Sequence, residues 1–222
     1  MKKTFVLILL FCAAAFAQEK FEIKDASKNY NARVEVAHCK EGICEGKLKV
    51  SLFKKSQSKP FQVITLGSTE FMREEAQMSN TKMMYDYQSV VFFEDYNFDG
   101  AEDLAIRDGN NGGYGGPSYQ IYLFSKAAGK FVRSPSLTNL AQGGSLGMFE
   151  VDKKKRVLRT FSKDGCCWHQ TEEFSVINNR PKKVFEETED ATIPNEKKVK
   201  ITAKKFVGGR WRTSVKYVKR EE

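Results

Sequence analysis

The sequence predicts an all-β protein built of antiparallel hairpins, and two observations carry that prediction. Apolar and polar residues alternate with a period of two along several stretches, which is the pattern of a half-buried strand. Turn-forming residues interrupt these stretches at short intervals, so the chain divides into about a dozen short strands.

Taken in order, Arg33-Val34-Glu35-Val36 and Lys47-Leu48-Lys49-Val50-Ser51-Leu52 alternate, and the tip Lys40-Glu41-Gly42-Ile43 between them reads as a hairpin turn. Residues 70–77 are expected to form a helical turn or two. Val90-Val91-Phe92-Phe93 and Leu104-Ala105-Ile106 are strand-like and bracket an acidic loop, and Tyr119-Gln120-Ile121-Tyr122-Leu123-Phe124 alternates again. Ala128-Gly129-Lys130, Asp152-Lys153-Lys154 and Asn178-Asn179 mark further turns. In the last hairpin Val199, Ile201 and Ala203 are expected to line one strand's face. Gly208-Gly209 turns the chain, and Trp211, Thr213, Val215 and Tyr217 line a face of the return strand, leaving the lysines and arginines to water.

Residues 1–17 read as a secretory signal peptide: Lys2 and Lys3, an apolar run from Phe5 to Phe16, and Ala15-Phe16-Ala17 as the cleavage site. The run is too short to span a membrane. Cys12 follows Phe11, where a lipidation signal wants a small residue, so a soluble mature chain is expected, one domain over residues 18–222 with no other transmembrane candidate. Its place is the periplasm or the exterior. The mature chain keeps Cys39, Cys44, Cys166 and Cys167, an even set in an oxidising compartment, which favours disulfides. A bridge from Cys39 to Cys44 suits the hairpin tip. Cys166 and Cys167 join either each other or partners elsewhere. Zinc is the competing reading, with His38 and His169 completing the ligands, but neither half has the two-residue gap of a structural zinc site.

The most specific motif is Asp95-Tyr96-Asn97-Phe98-Asp99-Gly100-Ala101-Glu102-Asp103. Asp95, Asn97, Asp99 and Asp103 place oxygen side chains at the first, third, fifth and ninth positions. Gly100 at the sixth permits the turn that aims the Ala101 carbonyl at the same centre, a calcium-binding spacing. The twelfth position is Ile106 rather than Glu and the flanks are strand-like, so this is a strand-loop-strand site and not an EF-hand. The same residue types also make an ordinary solvated acidic turn. Soon afterwards, residues 108–117 hold five glycines around Tyr114, in Gly112-Gly113-Tyr114-Gly115-Gly116 and Gly109. This run reads either as a plain connection or as an exposed recognition loop with Tyr114, Gly115 and Gly116 at its tip. No Lys-Ser or Lys-Thr follows, which argues against a phosphate loop.

The formal charge is +9 and the pI about 9.2. From Lys197 to Arg220 there are ten Lys or Arg and no acid, a candidate surface for an anionic partner. In an exported chain that partner is expected to be a glycan, lipid headgroups or an acidic protein rather than nucleic acid. Catalytic signatures are weak. His38 and His169 adjoin no nucleophile in a recognised motif, and Gly144-Ser145-Leu146-Gly147 is not a nucleophile elbow, so no enzymatic activity is expected.

The block Asp95 to Gly100 followed by Asp103-Leu104-Ala105-Ile106 and Tyr114-Gly115-Gly116-Pro117-Ser118-Tyr119 resembles the FG-GAP type of calcium loop of integrin-like β-propellers. Together with Gly165-Cys166-Cys167-Trp168-His169 and Glu186-Glu187-Thr188-Glu189-Asp190, it looks like a family of exported bacterial proteins. That family includes a type VI secretion immunity protein that inhibits a lysozyme-like effector. The resemblance implies a propeller-like all-β fold, calcium bound at Asp95, Asn97, Asp99, Ala101 and Asp103, and a periplasmic inhibitory role; a β-sandwich or barrel is the alternative arrangement of the same hairpins. A single calcium loop departs from FG-GAP proteins, which repeat it. The expected function is therefore a calcium-stabilised, non-enzymatic binding protein whose calcium loop presents the nearby Tyr114 loop to a muramidase-like protein partner. The alternative is an envelope module that binds an anionic glycan or another polyanion through the basic terminal hairpin.

Overall fold

The computed structural model describes residues 18–84, 86–192 and 197–219. The expected signal segment, with Cys12 and the expected cleavage site near Ala17, lies outside the described residues. Among the described residues fifteen strands form three open antiparallel sheets that follow one another along the chain. The N-terminal sheet holds β1 (Glu19–Ile23), β2 (Tyr30–Lys40), β3 (Ile43–Lys54) and β4 (Gln62–Leu66) in that order, with β5 (Glu70–Met72) pairing with the first residues of β3. The central sheet is β6 (Val91–Glu94), β7 (Asp103–Gly109), β8 (Ser118–Ser125) and β9 (Lys130–Arg133). The C-terminal sheet runs from β10 (Glu150–Asp152) through β11 (Val157–Asp164), β12 (Trp168–Ile177), β13 (Arg180–Asp190) and β14 (Lys198–Val207) to β15 (Arg210–Lys219).

The central sheet is buried on both faces, and this organises the molecule. Val91, Phe93, Leu104, Ile106 and Tyr122 pack with Val34, Leu48, Val50 and Phe71 of the N-terminal sheet. The residues between them, Phe92, Ala105, Tyr119, Ile121 and Leu123, pack on the opposite side with Leu137, Phe149, Leu158 and Phe174. Leu137 comes from the single-turn helix α1 (Pro135–Thr138) and the last two from the C-terminal sheet. A strand covered on both faces has no reason to alternate. Val90-Val91-Phe92-Phe93 is accordingly a continuous apolar run, and all four residues are buried.

Turn chemistry sets the register. Glu41-Gly42, Asn178-Asn179 and Gly208-Gly209 all have positive φ at both positions, the geometry that two-residue hairpins demand. The first of these turns puts Cys39 opposite Cys44, and the two are joined by a disulfide. Cys166 and Cys167 are bonded to each other. Disulfides therefore occupy all four cysteines among the described residues, and the zinc reading falls away.

One alternative falls and two expectations are refined. No sheet closes on itself, so the barrel alternative does not hold, while the stacked sheets have the layering of a sandwich. Residues 70–77 divide into β5 and a 3-10 turn over Arg73–Gln77. In the last hairpin Trp211 lies opposite Phe206, Val215 opposite Thr202 and Tyr217 opposite Lys200, whereas Val199, Ile201 and Ala203 lie opposite Val218, Lys216 and Ser214. The two apolar rows are thus on opposite faces of the ribbon, and neither face becomes a shared apolar surface.

Candidate functional site

The acidic loop joins β6 to β7, whose pairing opens at Glu94 and Asp103. Its side chains organise its own backbone. Asp95 accepts hydrogen bonds from the amides of Asp99 (3.0 Å) and Gly100 (2.9 Å), Asn97 Oδ1 accepts from Asp99 N–H (3.1 Å), and Asp99 Oδ1 accepts from Ala101 N–H (2.8 Å). Phe98 and Gly100 take positive φ, 61° and 85°, which curls the chain around these carboxylates. Asp103 is fully buried, and its two oxygens accept from the amides of Tyr96 (2.9 Å) and Phe124 (2.8 Å). Burial pushes its carboxyl up to about 7 despite those two bonds, and the charges of Asp99 and Asp95 push the same way. The Asp95 and Asp99 carboxylates are thus close enough to act on the Asp103 carboxyl. Lys126 reaches only the Asp99 carbonyl, at 3.4 Å.

As the loop stands, no three His, Cys, Asp or Glu side chains among the described residues converge in metal-holding geometry. The donor chemistry nonetheless suits a hard cation: three carboxyl groups, an amide oxygen and a main-chain carbonyl.

The loop also lies where the three sheets meet. The next-to-last loop residue, Glu102, accepts from Ser27 Oγ (2.7 Å) and Asn29 Nδ2 (2.8 Å) beside the N-terminal sheet. Asn97 Nδ2 donates to Asn179 Oδ1 (2.9 Å) in the β12–β13 turn of the C-terminal sheet. Arg156 donates to the Phe98 carbonyl (2.7 Å) and its guanidinium lies over the Phe98 ring. Sequence reasoning passed over Glu102, which has no part in the calcium spacing.

The glycine-rich loop leaves the other end of β7. Its backbone is held by hydrogen bonds: Gly113 N–H to Ser145 carbonyl (2.8 Å), Gly112 N–H to Gly116 carbonyl (2.9 Å) and Gly143 N–H to Asn111 carbonyl (3.1 Å). A Cβ on Gly113 would sit 2.5 Å from the Gly144 carbonyl oxygen, so this approach of two backbones requires glycine. Tyr114 is 66% exposed at the tip, with φ of 56°. Its hydroxyl accepts from Gly165 N–H (2.6 Å), and Lys163 Nζ lies 5.0 Å from its ring centre. The loop is therefore a braced structure rather than a plain connection. One expectation fails: the two loops are at opposite ends of β7, separated by about 20 Å of strand, so the calcium loop does not adjoin Tyr114.

Beside Tyr114, Gly115 and Gly116 lies a cavity of about 530 Å³, also lined by Met72, Tyr87 and Leu146. The Arg107 and Glu75 side chains border it and form an ion pair at 2.8 Å, with 5% and 4% exposure. Glu75 is anchored by Met72 N–H (2.7 Å) and Gln88 N–H (3.1 Å), and Arg107 donates to Asn110 Oδ1 (2.6 Å). Neither residue carried a sequence signal. His38 lies 2.9 Å from Glu45, and His169 stacks on Phe161. These two histidines belong to different sheets.

No family model and no curated protein matches the chain. A solved structure described as that of a Xanthomonas type IV secretion system related protein shares the fold. It has a TM-score of 0.67 and 24% identity, over 90% of this chain and 97% of that one. The FG-GAP and type VI resemblances find no support in these comparisons.

Proposed function

We propose that the chain is an exported, non-enzymatic protein that binds a protein partner through the Tyr114 loop and holds a calcium ion in the loop from Asp95 to Asp103. The observation that carries this reading is a large aromatic, 66% exposed, on a braced backbone, with its hydroxyl tied to the Gly165 amide. An exposed, preorganised aromatic beside a cavity is the kind of anchor on which binding hot spots are built. Two disulfides support export, as does a structural neighbour connected with a secretion system. No helix among the described residues is long and apolar enough to cross a membrane.

Asp95, Asn97, Asp99, Asp103 and the Ala101 carbonyl would hold the ion, which would offset the charge that Asp95 and Asp99 place beside Asp103. Its effect on the Tyr114 loop would be indirect, through the packing of the sheets around β7. Inhibition of a lysozyme-like peptidoglycan hydrolase is the most concrete form of this proposal. The deciding experiment measures binding and inhibition of such a muramidase by the mature protein, by Tyr114→Ala, and by a variant with Lys204, Lys205, Arg210 and Arg212 neutralised. Loss of binding in the first variant and retention in the second supports the loop. The reverse pattern transfers the function to a polyanion site on the basic hairpin.

A further inference from the structure

Among the described residues β15 ends the C-terminal sheet on an edge with no partner strand, and every residue from Arg210 to Lys219 is exposed. An unpaired edge of this length, about 33 Å, is a template for another strand. Its side chains alternate: Arg210, Arg212 and Lys216 share one face, and Trp211, Val215 and Tyr217 the other. Trp211, Val215 and Tyr217 are 45%, 50% and 54% exposed. Cations by themselves protect an edge from unwanted pairing, but a row of large apolar side chains on the same strand does the opposite, because covering it is favourable.

The sheet itself shows which kind of strand suits this ribbon. The acidic strand β13 lies against basic β14, with Glu186 opposite Lys204 and Asp190 opposite Lys200. The Glu186 carboxylate is 2.8 Å from the Lys204 amine. β15 offers the same basic character on the far side of β14. Residues 197–219 carry nine Lys or Arg and no acid, and among the described residues Lys204 is the one of these with a carboxylate partner.

We propose that the β15 edge receives an extended segment of an acidic protein as a further strand. In that strand acids would alternate with apolar residues, the acids beside Arg210, Arg212 and Lys216 and the apolar residues beside Trp211, Val215 and Tyr217. Charge disfavours the symmetric pairing of two copies through β15, which would bring one basic edge against another, and β10 at the other edge of the sheet, only three residues long, is too short to cover β15. A bilayer would cover one face of the ribbon and leave the other face and the backbone edge unsatisfied.

The test uses the mature chain and a peptide that alternates Glu and Val along the length of β15. The controls are a peptide of the same composition with its Glu residues gathered at one end, and the alternating peptide with N-methylated amides. The alternating peptide should bind, slow hydrogen exchange of amides in residues 210–219, and exceed both controls by about tenfold or more in affinity. Reversing Arg210, Arg212 and Lys216 to Glu should remove this binding while the far-ultraviolet circular dichroism and the melt stay as in the parent, because all three side chains are exposed. Equal binding of either control peptide would overturn strand addition in favour of a general polyanion surface. Absence of binding by the alternating peptide would overturn the proposal outright, as would concentration-dependent dimerisation that the triple reversal abolishes.

Discussion

The Tyr114 hydroxyl accepts the Gly165 amide at 2.6 Å and so ties the glycine-rich loop to the turn that holds the Cys166–Cys167 disulfide. One bond connects segments far apart in sequence and fixes the direction of an exposed aromatic. This separates two roles of the same side chain. Tyr114→Phe keeps the ring and loses the tether, whereas Tyr114→Ala loses both. Partner affinity is expected to fall modestly in the first, by a factor of about ten or less, and by more than about tenfold in the second. Surface plasmon resonance on a captured partner reads both, and equal dissociation rates for parent and Tyr114→Ala would refute the hot spot.

Calcium should stabilise the fold, because the loop from Asp95 to Asp103 touches all three sheets through Glu102, Phe124 and Asn179. At a hundredfold excess over its dissociation constant a ligand adds about 2.7 kcal/mol, which for a chain of this size raises the melting midpoint by about 5–10 °C. A chelator should remove that increment, and Asp99→Ala should melt at the chelated midpoint with or without added calcium. An unchanged parent midpoint on chelation would end the metal assignment.

Much of the fold was legible because hairpins are local. The turns at Glu41-Gly42, Asn178-Asn179 and Gly208-Gly209 announce themselves by residue type, and the alternating strands flank them. The faces of the last hairpin were legible too, since counting outward from Gly208-Gly209 sets Phe206 against Trp211 and Ile201 against Lys216. What the chain order conceals is packing between sheets. Glu75 meets Arg107, Glu102 meets Ser27 and Tyr114 meets Gly165 only after three layers stack, and none of these pairs has a spacing that marks it. The distance between the calcium loop and Tyr114 was misjudged for a related reason: a strand of seven residues is short in sequence but long in space.

An acid-sensitive element lies in the N-terminal sheet. Glu35 on β2 stands directly between Lys20 on β1 and Lys49 on β3, with amine-to-carboxylate distances of 3.4 Å and 2.6 Å. The hydrogen bond from Lys49 holds its carboxyl below the usual range, burial opposes this, and Lys20 assists. A lowered folded value means that the stabilisation is complete above the unfolded value near 4.3 and is lost as pH falls through the folded one. Melts between about pH 5 and pH 3 should therefore decline less steeply for Glu35→Gln than for the parent. Parallel slopes would show that the triad contributes nothing through titration.

Because β6 sends Val91 and Phe93 into one core and Phe92 into the other, damage to either core should be felt by both. Phe92 is wholly buried, meets Tyr119 edge-on at 5.4 Å between ring centres, and lies under the Lys82 amine. Truncating such a ring removes its transfer energy and leaves a cavity, so Phe92→Ala should cost about 3–5 kcal/mol. Phe93→Ala, on the opposite face, should cost a similar amount. Val132→Ala, at 46% exposure on the same sheet, should stay within about 0.5 kcal/mol of the parent. The informative readout is the shape of the calorimetric transition. If residues 18–222 form one cooperative unit, both phenylalanine variants will shift a single peak to lower temperature without splitting it. A second peak left at the parental midpoint in Phe92→Ala would mean that the N-terminal sheet unfolds independently and that the shared central sheet does not couple the two cores.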